Sequence, residues 1–295
     1  MPTYNGKPSA AILPQDLANA PRHLVLLDCR PFEDYDFCHL DGAIHVDIES
    51  ALTSATDEGH NPVKGGRGPL PKPEAWQQRL RQWGIRPDSF VVAYDDASGA
   101  EGAARAWWML TASGVQAAVL DGGWGAAVKS RLTINEDVPE VEPSTINFTE
   151  WRLPTVGIEA VDRLRHAPGW ALLDSRAPER WRGEVEPLDP VAGHIPGSRN
   201  VFYKQNLENG FFKTPGELRK MYLEILGPAQ PGQTIIYCGS ALMACHALLA
   251  MHQAGLEGAN LYVGSFSEWC RNRLDDTGVW DPAAARPTII KATKQ

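Results

Sequence analysis

Long apolar runs are missing from this sequence. No stretch comes near the ~18 consecutive apolar residues that cross a bilayer, and the N-terminal AAILPQDLANA is broken by Pro14 and Asp16 before it could act as a signal core. Neither membrane insertion nor classical secretion is expected. Basic charge is also scarce: 28 Lys and Arg stand against 36 Asp and Glu, a net charge of −8. A nucleic-acid surface needs clustered cations, so that class of partner is excluded. The five cysteines, Cys29, Cys38, Cys238, Cys245 and Cys270, are odd in number and form no CxxC pair. This argues against a disulfide framework or a zinc site and suits a reducing cytoplasm. No metal or other cofactor is implied.

What is present is an ordinary globular composition, with 43% hydrophobic residues and ten tryptophans. At 295 residues, two domains are expected. The chain also repeats itself. LVLLDCR (24–30) returns as ALLDSR (171–176), VVAYD (91–95) as TIIYC (234–238), and VLDGGW (119–124) as YVGSF (262–266). The order is kept and the offset stays nearly constant, 146 residues from Asp28 to Asp174, 143 from Asp95 to Cys238 and 142 from Gly122 to Gly264. Each run is short, apolar and bounded by turn residues, as a buried parallel strand requires. Helical stretches such as AARAWWMLTASGV (103–115) and ACHALLAMHQAG (244–255) follow them. Strand then helix, repeated, reads as an α/β fold built twice. The acidic, proline-containing NEDVPEVEPS (135–144) reads as a surface linker, which divides the chain into 1–145 and 146–295.

A duplicated chain supplies its own control, because a residue found in both copies serves the fold. Arg30 and Arg176 each lie two positions after a strand-ending aspartate, and His39 and His194 also recur. All four read as structural. Where the first copy has Asp95, the second has the thiol of Cys238. The segment YCGSALMACHALLAMH then runs strand, six-residue loop from Cys238 to Met243, and helix. That places a sulfur at the open mouth of a turn, beneath loop amides and a helix N-terminus, where positive potential favours a thiolate. The second copy also carries nine extra residues between Asp174 and His194, and these bring Arg180, at the position of Asp34, and Arg182. A guanidinium there suits an anionic substrate. A phosphatase loop would need arginine six positions after the cysteine, and position 244 is alanine.

With these motifs together, the chain resembles the tandem-domain rhodanese family. The resemblance rests on the two strand ends, the HLDGA and HIPGS turns, GGRGPLP (65–71), LDGGW, GSFSEW and the CGSALM loop, which is similar to the CGSGVT loop usual in 3-mercaptopyruvate sulfurtransferases. It implies two tandem α/β domains, each a central parallel sheet flanked by helices, an inactive first domain with Asp95 at the cysteine position, and an active second one. It further implies that Cys238 is the nucleophile, forming a persulfide with sulfur from a small anionic donor and passing it to cyanide or a thiol such as thioredoxin. Arg180 and Arg182 would hold the donor, together with the loop residues Gly239, Ser240, Ala241, Leu242 and Met243. Thiosulfate-preferring relatives more often carry basic residues in this loop, so Gly239 and Ser240 favour 3-mercaptopyruvate, with thiosulfate next. Two departures stand out: Leu188 occupies the place of a second carboxylate-binding arginine, and Gly68 that of a histidine assigned to a proton relay with the loop serine. They keep open an alternative, a sulfur-relay or binding module loaded by a protein persulfide.

Overall fold

In the computed structural model, residues 3–4, 7–21, 23–273, 277–281 and 286–290 are described. The repeated runs form two five-stranded sheets of one topology. The first contains β1 (Ala11–Ile12), β2 (Leu24–Asp28), β3 (Ile44–His45), β4 (Phe90–Tyr94) and β5 (Gln116–Leu120), in the spatial order β1-β5-β4-β2-β3. The second contains β6 (Thr155–Val156), β7 (Ala171–Asp174), β8 (Arg199–Asn200), β9 (Thr234–Tyr237) and β10 (Asn260–Tyr262), in the order β6-β10-β9-β7-β8. Every pairing within these two sheets is parallel. The central strands are buried along their whole length, FVVAY in one sheet and TIIY in the other. Helices cover both faces of a parallel sheet, which is why these strands are continuous apolar runs and do not alternate.

The register shows that the repeat is structural. Asp28 pairs with Tyr94 and Asp174 with Tyr237. The Tyr94 hydroxyl accepts from Leu40 N at 3.1 Å, and the Tyr237 hydroxyl accepts from Ile195 N at the same distance. Arg30 forks onto Asp28 and donates to the Cys38 carbonyl at 2.7 Å, while Arg176 forks onto Asp174 and donates to the Gly193 carbonyl at 2.7 Å. His39 stacks on Tyr35 and His194 on Trp181, each with Nδ1 on a main-chain carbonyl. These four residues hold the two copies of the fold, as their recurrence predicts.

The helices that matter for the site follow the two central strands. They are α1 (Ala103–Ala112), after β4, and α3 (Leu242–Gln253), after β9; between them in the chain lies α2 (Pro178–Arg182), after β7. α1 and α3 pack on one another, and one continuous core runs through both units, from Trp76, Trp108 and Met109 to Cys245, Leu249 and Met251. A helix enclosed on all sides has no polar face, which explains the sequences AARAWWMLTA and LMACHALLAMHQ. Residues just after the acidic linker remain bonded to the first unit: Ile146 O accepts from Arg81, Phe148 N donates to Gln77 at 2.9 Å, and Arg152 N donates to Ala112 O.

Candidate active site

Cys238 and Asp95 occupy one position in the two copies. Each directly follows the tyrosine paired with the strand-ending aspartate. The carbonyl of Asp95 accepts from Trp124 N at 3.0 Å and that of Cys238 from Phe266 N at 2.9 Å. What differs is the side chain and the turn it serves. Asp95 Oδ1 accepts from Ala97 N at 2.9 Å and Gly99 N at 2.7 Å, and Oδ2 accepts from Glu101, Gly102 and Ala103 N at 3.0 to 3.1 Å. Five amides thus converge on one side chain, the geometry of a backbone nest.

The second turn is tighter than the sequence reading has it. Helix α3 begins at Leu242, so Leu242 and Met243 form its first turn, and the loop proper is Cys238 to Ala241. The first N–H groups of that turn have no partner within the helix and point back towards the loop. The chain makes the tight turn by placing Ala241 in the left-handed region, at φ 65°. A side chain costs energy there that glycine avoids.

The expectation of a sulfur open at the mouth of its turn is corrected. Cys238 has no exposed surface. A segment of the first unit, the glycine-rich 65–68, lies across the loop. Gly65 N donates to Glu268 at 2.8 Å, Arg67 N donates to Ser267 Oγ at 2.9 Å, and a Cβ on Gly68 would stand 2.6 Å from the Ser240 carbonyl oxygen. A histidine at position 68 therefore has no room with the loop in this position, and no histidine relay to Ser240 is built here.

Arg180, on α2, does meet the loop. A Cβ on Gly239 would lie 3.6 Å from both of its terminal nitrogens and 3.1 Å from Arg67 Nη2, so two guanidinium groups flank the residue next to the thiol. Both are held by buried carboxylates. Arg180 grips Glu186 through Nη2 at 2.6 Å and Nε at 3.2 Å, and lies 3.8 Å from Asp189. Arg67 Nε donates to Asp189 at 3.0 Å, and Arg271 Nη1 donates to the same oxygen at 2.8 Å. Burial works to raise the Asp189 pKa, but the hydrogen bonds from Arg67 and Arg271 outweigh it and hold the carboxyl below its ordinary value. Arg182 turns elsewhere, to Glu184 at the surface at 2.6 Å. Two residues apart on a helix do not share a face, so Arg180 and Arg182 cannot both point at one loop. Leu188 is exposed. Arg67, Asp189 and Arg271 carry no site signal in the sequence beyond the GGRGPLP motif around Arg67. Burial raises the thiol pKa of Cys245 to about 12 and of Cys270 to about 11, which leaves them as neutral packing groups.

A model of the rhodanese-like domain matches residues 10–129 and 158–272. The chain belongs to the rhodanese-like family. As a tandem rhodanese it is 38% identical to a Pseudomonas aeruginosa protein named "Probable 3-mercaptopyruvate sulfurtransferase", over 83% of this chain and 89% of that one. It is 32% identical to the thiosulfate sulfurtransferase of Rattus norvegicus, over 84% and 82%. Its rhodanese fold is similar to the structure of 3-mercaptopyruvate sulfurtransferase from Leishmania major, with a TM-score of 0.77 and 26% identity, covering 92% of this chain and 76% of that one. Among the described residues no helix is long and apolar enough to cross a membrane, and no cluster of three or more metal-ligating side chains occurs.

Proposed function

We propose that this rhodanese is a sulfurtransferase that carries sulfur on Cys238 as a persulfide, with the first unit serving as a non-catalytic partner. The observation that carries the reading is the pairing of the two turns. One holds the Asp95 side chain on five amides, and the other puts a thiol at the same register with two guanidinium groups beside the next residue, Gly239. In the first half-reaction the Cys238 thiolate attacks the outer sulfur of the donor. With 3-mercaptopyruvate the carbon–sulfur bond breaks, its electron pair leaves as the enolate of pyruvate, and the donor thiol proton ends on that carbon. With thiosulfate the sulfur–sulfur bond breaks and sulfite leaves. In the second half-reaction a thiol such as that of thioredoxin, or cyanide, takes the outer sulfur and the Cys238 thiolate returns, a ping-pong sequence of covalent catalysis.

Arg180 binds the anionic end of the donor in exchange for its contact with Glu186, and the amides of Gly239, Ser240, Ala241, Leu242 and Met243 cradle the transferred sulfur. The absence of basic residues in the loop favours 3-mercaptopyruvate over thiosulfate, while Arg67 supplies a cation from the other unit. Because Cys238 is covered, the 65–68 segment lifts from the loop before donor enters. Arg182, paired with exposed Glu184, acts at most at the rim. Side-by-side steady-state kinetics with 3-mercaptopyruvate and thiosulfate test the donor assignment, which predicts the higher kcat/KM for 3-mercaptopyruvate; a clear preference for thiosulfate overturns it. Leu188, Gly68 and the apolar Ala241, Leu242 and Met243 of the loop favour a second reading, a relay loaded by a protein-bound persulfide. Loading by such a protein, with no turnover of either small donor, selects that reading. The five unpaired cysteines suit a reducing, cytoplasmic setting for either reading.

A further inference from the structure

α1 and α3 pack on one another, and each carries a polar side chain buried in that packing. His246 of α3 reaches the Asp95 turn, where it lies against Gly99. Arg105 of α1 reaches the carbonyl of Gly68, the residue packed on Ser240 of the Cys238 loop. It is fully buried, donates to the Gly68 carbonyl at 3.1 Å and to the Leu52 carbonyl at 3.4 Å, and leaves Nη1 with no partner among the described residues. Among the described residues no carboxylate pairs with it. Burial works to lower its pKa, and the ionisable groups that oppose this are the thiol of Cys245, by charge and by a side-chain contact, and then that of Cys238. Burial holds Cys245 neutral, with its pKa pushed up to about 12. A buried cation without an anion is expensive to keep, and of these two thiols the one that the proposed chemistry ionises is Cys238. The first copy differs: its turn holds the Asp95 side chain on five amides, and the side chain against that turn is an imidazole that burial keeps neutral, with its pKa down at about 3.

We infer that Arg105, contributed by the non-catalytic unit, is a positioning residue whose buried charge is the counterion of the Cys238 thiolate and persulfide. It acts through space and through Gly68, whose carbonyl it holds while Gly68 packs on Ser240. The inference rests on the assignment of Cys238 as the sulfur carrier. It also gives the duplication a purpose, since neither unit alone holds both the thiol and its charge. The charged and ionisable groups around Cys238 are then Arg105, Cys245, and the pair Arg67 and Arg180 at Gly239 with Asp189 and Glu186 behind them.

The test follows the ultraviolet absorbance of the thiolate against pH in the full-length protein, taken as the difference between each protein and its Cys238→Ser counterpart. Wild type, Arg105→Gln and Arg105→Lys are compared. The glutamine keeps an amide donor for the carbonyls of Leu52 and Gly68 but removes the charge, so the Cys238 midpoint rises by about one pH unit or more, the effect of losing a close opposite charge; lysine recovers most of the shift. An unmoved midpoint in a folded Arg105→Gln protein overturns the inference. If that variant does not fold, wild type decides: persulfidated protein melts at a higher temperature than reduced protein, because the missing anion has been supplied, and an equal or lower melting temperature overturns the inference. Failure of wild-type Cys238 to take up sulfur refutes the sulfur-carrier assignment instead, and the titration, which needs no donor, then decides the role of Arg105.

Discussion

Replacing Asp95 with asparagine probes the acceptor at the centre of the first turn with almost no change in shape. The amide oxygen can keep the hydrogen bonds from Ala97 and Gly99, the pair that Oδ1 accepts. The amide nitrogen then points two donors at the N–H groups of Glu101, Gly102 and Ala103, which Oδ2 accepts in the wild type. Gly102 and Ala103 are buried, so water cannot replace the lost acceptor for them. Each buried donor left without a partner costs about 1–3 kcal/mol, which puts the loss at roughly 2–6 kcal/mol against a total stability of about 5–15 kcal/mol. Urea unfolding at neutral pH, followed by tryptophan fluorescence, measures it. Sulfur uptake per folded molecule stays at the wild-type level, because this turn carries no nucleophile. A midpoint within error of wild type would show that the five amides are not held by this side chain, and the comparison between the two turns would fall with it.

Arg180→Ala removes the charge-assisted contact to the donor, worth about 1.5–3 kcal/mol. The kcat/KM for 3-mercaptopyruvate and thiosulfate falls roughly 10- to 150-fold while the acceptor half-reaction is unchanged; stopped-flow loading with unaltered donor dependence would contradict this. Ala241→Gly relieves the left-handed backbone, a gain of about 1–2 kcal/mol less about 0.4–1 kcal/mol of added unfolded-state entropy, so the urea midpoint rises slightly; a lower midpoint refutes the strain. His246 has its pKa held down at about 3 by burial, against an ordinary value near ~6.5. The unfolded chain therefore takes up this proton first, and stability present above about pH 6.5 is lost progressively as pH falls towards about 3. His246→Leu narrows the gap between urea midpoints at neutral and mildly acidic pH. An undiminished gap in the variant removes His246 as the cause.

The duplicated framework was legible because each of its parts is local. Asp28 with Arg30, and Asp174 with Arg176, are neighbours along the chain, so their pairing needs no knowledge of the rest. The equivalence of Asp95 and Cys238 was legible for the same reason, since each ends a strand whose apolar run announces it. The surroundings of the thiol were not. Arg67 meets Asp189 across 122 residues and its amide meets Ser267 across 200, and such contacts leave no periodic or compositional trace. Arg105 was hidden inside AARAWWMLTA because only the packing of α1 on α3 shows which way it points. Arg180 and Arg182 looked equivalent as a charged pair until helix α2 set their phase and sent one to the loop and the other to Glu184. The segment lying across the loop escaped notice because it belongs to the other copy.

The most direct test is the intact mass of the protein after brief exposure to each donor and removal of excess. Sulfur transfer through Cys238 predicts one added sulfur atom on wild type, lost again on addition of cyanide, and none on Cys238→Ser. An unmodified wild-type mass with every donor, or the same added sulfur on the serine variant, contradicts it.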